Sequence, residues 1–312
     1  MRCLVTGGSG FIGSAIVKEL AIDGHQVKVL TRSKKENFIS KKILQDVELI
    51  TGDVRDLAVV DKASRNCDYI YNFSGIVDSD AANSLSVDAI DTEIMGLQNI
   101  CRSAKKNDIK QIIFGSSCAV YGDNNGMGPL LEKNSVQPKS HYAALKRMGE
   151  LLIQTYSTEM NLNYLIARIF NPYGSNQPKN MAIYKFFDAA FKGSPIRIFG
   201  GGDQTRDFIY IDDVAKILSV LIDRTINREI INICSGQDFS IRSVAEMVIS
   251  IMGSRSKCEF LATPKARENA EIMRSYGSTK KLETLTGIKP LIGLQEGLKM
   301  MHNNIISDTN LN

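Results

Sequence analysis

Residues 6–13 read Thr-Gly-Gly-Ser-Gly-Phe-Ile-Gly, directly after the apolar run Arg2-Cys3-Leu4-Val5 and directly before an amphipathic stretch at 11–22. No other feature constrains the chain as strongly. Gly7, Gly10 and Gly13 fall at the turn between a first strand and a first helix. Glycine accepts the positive φ of a tight turn. It also lets the backbone approach a pyrophosphate, whose charge then meets a helix N-terminus. The spacing Gly-x-x-Gly-x-x-Gly differs from the plain GxGxxG form, and a glycine turn with no ligand is the simpler alternative. The strand-to-helix context is what argues for a dinucleotide loop. In the helix that follows, Ile12, Ile16, Val17 and Leu20 lie on one side.

The first half continues to alternate. Further strands are expected at 27–30, 47–50, 69–73 and 111–114, and one long helix at 84–106. Strand–helix alternation without hairpin signals implies βαβ units and a parallel sheet covered on both faces. Residues 207–222 read as a strand and then a helix, with Asp212 or Asp213 as its N-cap. Gly, Pro and Asn are frequent between 171 and 204. The expected fold is α/β: a Rossmann-type doubly wound parallel sheet with a smaller α/β C-terminal substrate domain. Residues 1–170, with 205–225 returning to them, would form the nucleotide-binding domain, and 171–204 with 226–312 the second domain.

Composition narrows the function classes. The chain has 312 residues and 43% hydrophobic residues, enough to build a core and to exclude a disordered chain. Lys plus Arg is 38 against 34 for Asp plus Glu, and a net charge of +4 is too weak to argue for a nucleic-acid surface. No apolar run approaches a membrane span, and no signal peptide is visible. The six cysteines form no CxxC pair and only three histidines occur, so no metal site is expected. Reduced thiols in apolar surroundings point to the cytoplasm.

The second strand ends Val29-Leu30-Thr31-Arg32-Ser33-Lys34, without an acid. A carboxylate there would bind an adenine-ribose 2′-hydroxyl and repel a 2′-phosphate, whereas Arg32 would attract the phosphate. NADP(H) is therefore favoured slightly over NAD(H), with a basic solvent loop beside an NAD site as the alternative. Asp53 is placed to meet the adenine amine, or to serve only as a loop carboxylate.

Tyr142 and Lys146 stand four apart in a helical segment and so share a face. A free tyrosine titrates near 10. A neighbouring ammonium stabilises the phenolate and suits the side chain to acid–base work. Ser116 and Ser117 follow the strand at 111–114. A hydroxyl at the carboxyl end of a parallel strand sits where such sheets bind ligands.

At this point TGGSGFIG, SSCAVYG, YAALK, RIFNPYG and QTRDFIYIDDVA, taken in order, resemble the extended short-chain dehydrogenases/reductases that modify nucleotide sugars. The resemblance spans nearly the whole chain. It implies Ser117, Tyr142 and Lys146 as the catalytic triad, with Ser116 a structural hydroxyl. It implies cofactor contacts from Gly7, Gly10, Phe11, Ile12, Asp53, Phe73, Ser74 and Gly75; Gly13, Arg32, Val54, Tyr142 and Lys146 are further cofactor-binding candidates, and the Thr31-Arg32 ending departs from the family's NAD-type epimerases. It implies that Asn171, Arg206 and Arg267 hold a sugar nucleotide's diphosphate and that Arg197 and Phe199 border its base. An ion pair of Arg206 with Asp207 is the structural alternative. Relatives often dimerise through the helices matching 84–106 and 141–160, and commonly serve cell-surface polysaccharide synthesis.

Two departures matter. The Asp-Glu pair of the family's 4,6-dehydratases is replaced by Cys118 and Ala119, and the family's decarboxylases also keep an acid there, which argues against both reactions. The Asn expected three residues before Gly96 is Glu93. The motifs favour a nucleotide-sugar 4-epimerase. The basic end of the second strand favours an NADPH-dependent 4-keto-sugar reductase. A non-catalytic dinucleotide sensor is disfavoured by the presence of both Tyr142 and Lys146.

Overall fold

A computed structural model describes residues 1–32, 43, 45, 47–75, 87–123, 128–224, 226–265 and 271–309. The glycine loop joins β1 (Arg2–Thr6) to α1 (Phe11–Ile22). Then follow β2 (Gln26–Thr31), β3 (Val47–Thr51), α2 (Leu57–Ser64) and β4 (Tyr69–Asn72). Asp56 caps α2 by accepting from the amides of Ala58 and Val59. Next come α3 (Val87–Ile90), α4 (Gly96–Lys106), β5 (Gln111–Ser117), α5 (His141–Met160) and β6 (Tyr164–Ile169). Ser140 caps α5 and Asn161 ends it in the left-handed region at φ 55°.

Seven strands form one parallel sheet in the order β3-β2-β1-β4-β5-β6-β11, where β11 is Glu229–Ile233. Strand residues alternate between its two faces, as the pleat requires. Cys3, Val5, Tyr71 and Ile113 face the core under α1 and α7 (Ile211–Val220). Leu4, Ile70, Ile112 and Phe114 face the core under α2, α4 and α5. Burial on both faces explains the nearly continuous apolar strands. Tyr71 spans its layer and donates to the Leu218 carbonyl at 2.9 Å, tying the sheet to α7.

The remaining strands are short. β7 (Pro172–Tyr173) pairs with β10 (Ile209–Tyr210). β8 (Ile196–Phe199), which follows α6 (Ala182–Phe191), pairs with β13 (Cys258–Leu261). β9 (Thr205–Arg206) lies between β12 (Phe239–Ser240) and β14 (Arg274–Ser275). Helices α8 (Ile241–Ile251), α9 (Lys280–Thr286) and α10 (Leu294–Thr309) complete the described chain. Among the described residues no helix is long and apolar enough to cross a membrane.

Three expectations are corrected. The stretch 84–106 is not one regular helix: the π-helical turn Asp91–Met95 separates α3 from α4, and 84–86 lie outside the described residues. Neither Asp212 nor Asp213 caps α7, which starts after Tyr210. Asp213 instead accepts from the amides of Leu291 and Ile292, pinning the segment before α10. Residues 229–233, assigned from sequence to the second domain, extend the main sheet beside β6.

Candidate active site

The strand order reverses between β1 and β4, and the carboxyl ends beside such a reversal form a crevice. The loop after β1 and the segment Phe73-Ser74-Gly75 after β4 both open there. Gly7 sits at φ +69°, and a Cβ on it would lie 2.4 Å from the Phe73 carbonyl oxygen. A Cβ on Gly13 would lie 2.2 Å from the Gly7 oxygen. Gly10 is the N-cap of α1 and offers it no side chain, and the first helical turn carries no acid. The loop is thus shaped to bring bare backbone and a helix N-terminus to an anion. These residues fit a dinucleotide pyrophosphate. Gly7→Ala should cost roughly 1–3 kcal/mol in backbone strain and weaken dinucleotide binding at least tenfold, as read by thermal unfolding and titration calorimetry.

Asn72 organises the neighbouring loop. Its side-chain oxygen accepts from Thr6 Oγ1 at 2.7 Å and from Ser74 Oγ at 2.6 Å. Ser9 and Thr31 hydroxyls meet at 2.7 Å, linking the glycine loop to the end of β2. Arg32 is exposed, while Ser33 and Lys34 lie outside the described residues. Asp53 has both oxygens engaged by Arg55: Oδ1 accepts from the backbone amide at 2.9 Å and Oδ2 from Nη2 at 2.8 Å. These hydrogen bonds, against a partial cost of burial, hold its carboxyl below the usual range. An adenine amine would have to share Asp53 with Arg55. Val54 is buried, and Asn99 fixes its carbonyl at 3.0 Å.

The catalytic candidates converge at the end of β5. Ser117 ends the strand, and its hydroxyl accepts from the Ala119 amide at 3.2 Å, capping the short turn Cys118–Tyr121. Tyr142 and Lys146 occupy successive turns of α5, Tyr142 half-buried and Lys146 buried. Burial raises the Tyr142 phenol pKa. The Lys146 charge and the Ser117 hydroxyl act in the opposite direction. Ser116 has the structural role expected of it, donating to Glu150 Oε1 at 2.7 Å. Cys118 is a buried thiol that burial pushes up to about 11, so it is no nucleophile at neutral pH.

In the sequence Glu93 stands out only as a departure from the expected Asn. It is 5% exposed and its Oε1 accepts from Lys146 Nζ at 2.8 Å. Against the cost of burial, this carboxylate holds the Lys146 ammonium above its ordinary pKa. A buried contact across two helices gives no periodic signal by which sequence could have found it.

The substrate-side residues are more dispersed. Arg206 does not pair with Asp207. Its guanidinium donates to the carbonyls of Thr205 and Ile272 and to Glu271 Oε1 at 3.3 Å. Asp207 is fully buried instead. Its oxygens accept from the Ser235 amide and hydroxyl at 2.8 and 2.6 Å, and from the amides of Gly236 and Gly277 at 3.0 and 3.2 Å. Burial raises its pKa to about 6, the four donors working the other way. Asp207 therefore clasps the chain around β11 and β14. Asn171 is half-buried and donates to the Asp207 carbonyl at 2.8 Å. Arg197 pairs with Glu259 across β8 and β13, and Phe199 is 39% exposed at the end of β8. Arg267 lies outside the described residues. Arg274, not anticipated, donates to Asp238 at 2.8 Å and stacks on Tyr276.

The model of the NAD-dependent epimerase/dehydratase family matches residues 3–234. A putative UDP-glucose 4-epimerase of Methanocaldococcus jannaschii is 35% identical over 96% of this chain and 97% of its own. A UDP-N-acetyl-alpha-D-glucosaminuronate decarboxylase of Bacillus cytotoxicus is 31% identical over 96% of this chain and 95% of its own. Among solved structures, a UDP-N-acetylglucosamine 4-epimerase from Methanobrevibacter ruminantium, in complex with UDP-N-acetylmuramic acid, superposes with a TM-score of 0.90 at 29% identity, covering 98% of each chain.

Proposed function

The chain belongs to the NAD-dependent epimerase/dehydratase family, and we propose that within it the protein is a nucleotide-sugar 4-epimerase acting on a UDP-hexose. The observation that carries this reading is the end of β5. Ser117, Tyr142 and Lys146 meet there, and the two positions after Ser117 hold a buried thiol and a methyl group. Neither of these two positions carries an acid to move protons at C5 or C6, or to assist a carboxylate leaving. That favours reaction at C4 over dehydration or decarboxylation.

A bound nicotinamide supplies reversible hydride exchange with sugar C4. The chain's residues do the rest. Tyr142 takes the proton of the 4-hydroxyl in the oxidising half-reaction and returns it in the reducing half. Ser117 donates a hydrogen bond to the same oxygen. Lys146 keeps a positive charge near the phenolate. Arg206, Asn171 and Arg267 would hold the diphosphate as pivot while the planar 4-keto ring presents its other face. Arg206 must leave Glu271 in part to do so. A catalytic amount of cofactor should support many turnovers, with no net change in nicotinamide absorbance. Stoichiometric consumption of NADPH on a 4-keto sugar would instead assign the protein as a reductase.

For the cofactor, β2 ends without a carboxylate and Arg32 is exposed. NADP(H) should bind at least as tightly as NAD(H), and Arg32→Glu should lower the NADP(H) preference at least tenfold. Identification by mass of the dinucleotide released on denaturation, with affinities for both forms, checks this. Near-stoichiometric NAD in the purified protein would remove Arg32 as a phosphate ligand.

We also read α5 and the turn before α4 as a homodimer face. Met95, Met148 and Leu151 are 48%, 48% and 49% exposed there. Leu151→Glu should convert a dimer into a monomer on sizing with light scattering. A wild-type monomer at micromolar concentration would refute this face. Cys67, Cys101, Cys118 and Cys234, buried free thiols, suit a cytoplasmic setting.

A further inference from the structure

Glu93 places a carboxylate inside the catalytic constellation, where the family pattern has a neutral amide. Three features frame it. It lies in the π-helical turn Asp91–Met95, a local break in the hydrogen-bond register of a kind that recurs at functional sites. It is ion-paired to Lys146 at 2.8 Å, with side-chain exposures of 5% for Glu93 and 8% for Lys146. The adjoining loop is bare: a Cβ on Gly75 would lie 2.9 Å from Glu93 Oε2 and 3.5 Å from Lys146 Nζ. The pair thus faces the segment after β4, and Lys146 also stands over the Phe114 ring at 5.3 Å.

We propose that Glu93 is a positioning residue of the reaction, forming the buried end of a row Tyr142–Lys146–Glu93 in which it fixes the ammonium and offsets its charge, so that Tyr142 ionises later than beside an unpaired lysine. The proposal deepens the epimerase reading and rests on it for its kinetic consequence.

The sign follows from the charges. A phenolate beside a lone ammonium is stabilised. A phenolate beside a neutral Lys–Glu pair gains much less. The charged and titratable groups that bear on Tyr142 are Lys146, which favours ionisation, and Glu93 and the Cys118 thiol, which oppose it, with the Ser117 hydroxyl assisting. Those bearing on Lys146 are Glu93, Tyr142 and, from the next turn of α5, Glu150. Replacing Glu93 by a neutral side chain removes one negative charge from this set. The Tyr142 midpoint should then fall by about one pH unit, the lower end of what one neighbouring charge does.

The test is a titration of the apoprotein carrying tyrosine labelled with carbon-13 at Cζ, with the Tyr142 resonance assigned from Tyr142→Phe. It needs neither cofactor nor substrate. Wild-type Tyr142 should reach half-ionisation no lower than free tyrosine, about 10. Glu93→Gln and Glu93→Asn should both move that midpoint down. In the active enzyme, the acid limb of the kcat/KM profile should move to lower pH with them. An unchanged midpoint, even with reduced activity, would make Glu93 merely structural and overturn the proposal. A wild-type midpoint well below that of free tyrosine would also overturn it, and this result stands even if neither variant folds. Failure of the titration leaves the epimerase reading intact. Failure of the wild-type protein to turn over any UDP-hexose would strike the reading and leave the titration standing.

Discussion

Tyr142→Phe should lower kcat by about 10²–10⁴-fold, the range for removing a positioned acid–base group, while leaving KM and dinucleotide affinity within a few-fold of wild type. The substitution deletes one oxygen at the end of β5 and keeps the ring, so the fold and the diphosphate contacts should survive. Its effect belongs to the proton transfer, not to binding. Steady-state kinetics with calorimetric cofactor binding checks the split. A variant retaining a tenth or more of the wild-type kcat would remove Tyr142 from the chemistry. Lys146→Met would be a blunter probe, because it strands the Glu93 carboxylate in a buried site.

The second large effect lies one layer behind the triad. Arg168 on β6 is 2% exposed and forks onto Glu150, with Nε to Oε1 and Nη2 to Oε2 both at 2.8 Å. Glu150 also accepts from Ser116 and from Arg147 at 2.9 Å. Arg168 stacks on Tyr121 and donates to the Glu132 carbonyl. Tyr121 donates to Asn232 on β11 at 2.7 Å. One bidentate pair therefore locks β5, β6, α5 and β11 beneath Ser117. Arg168→Met should destabilise by about 3–5 kcal/mol, because it leaves a carboxylate buried with fewer donors. That corresponds to a fall in Tm of roughly 10 °C. The double change Arg168→Met with Glu150→Leu should recover much of the loss, since a packed apolar pair can replace a buried ion pair. Thermal unfolding of the two single variants and the double variant decides it. Additive losses would contradict the account.

The legible part of the molecule was its periodic part. α1 spans 11–22 as expected, because apolar spacing and the glycine loop both mark it. The four expected strands at 27–30, 47–50, 69–73 and 111–114 appear within one or two residues, except that β5 runs on to Ser117. The Tyr142–Lys146 spacing could be read because a helix converts sequence interval into face. What escaped depends on contacts between distant segments. The π turn before α4 breaks a pattern that the apolar residues themselves continue. Glu271 meets Arg206 from 65 residues away. β11 is not legible in the sequence, because it follows a loosened stretch and reaches the sheet only by returning beside β6. Arg168 carried a hint, a charge inside the apolar run Tyr-Leu-Ile-Ala-Arg-Ile-Phe, but the strand alone does not name Glu150 as its partner.

The most direct measurement is proton NMR of UDP-glucose and UDP-N-acetylglucosamine incubated in deuterium oxide with the protein and a trace of nicotinamide dinucleotide. A 4-epimerase returns to C4 the hydrogen it removed. Conversion to the C4 epimer until equilibrium is expected, with hydrogen retained at C4, no deuterium at C5 or C6, and no loss of carbon. Deuterium at C5 or C6, or no reaction unless NADPH and a 4-keto sugar are supplied, would contradict it.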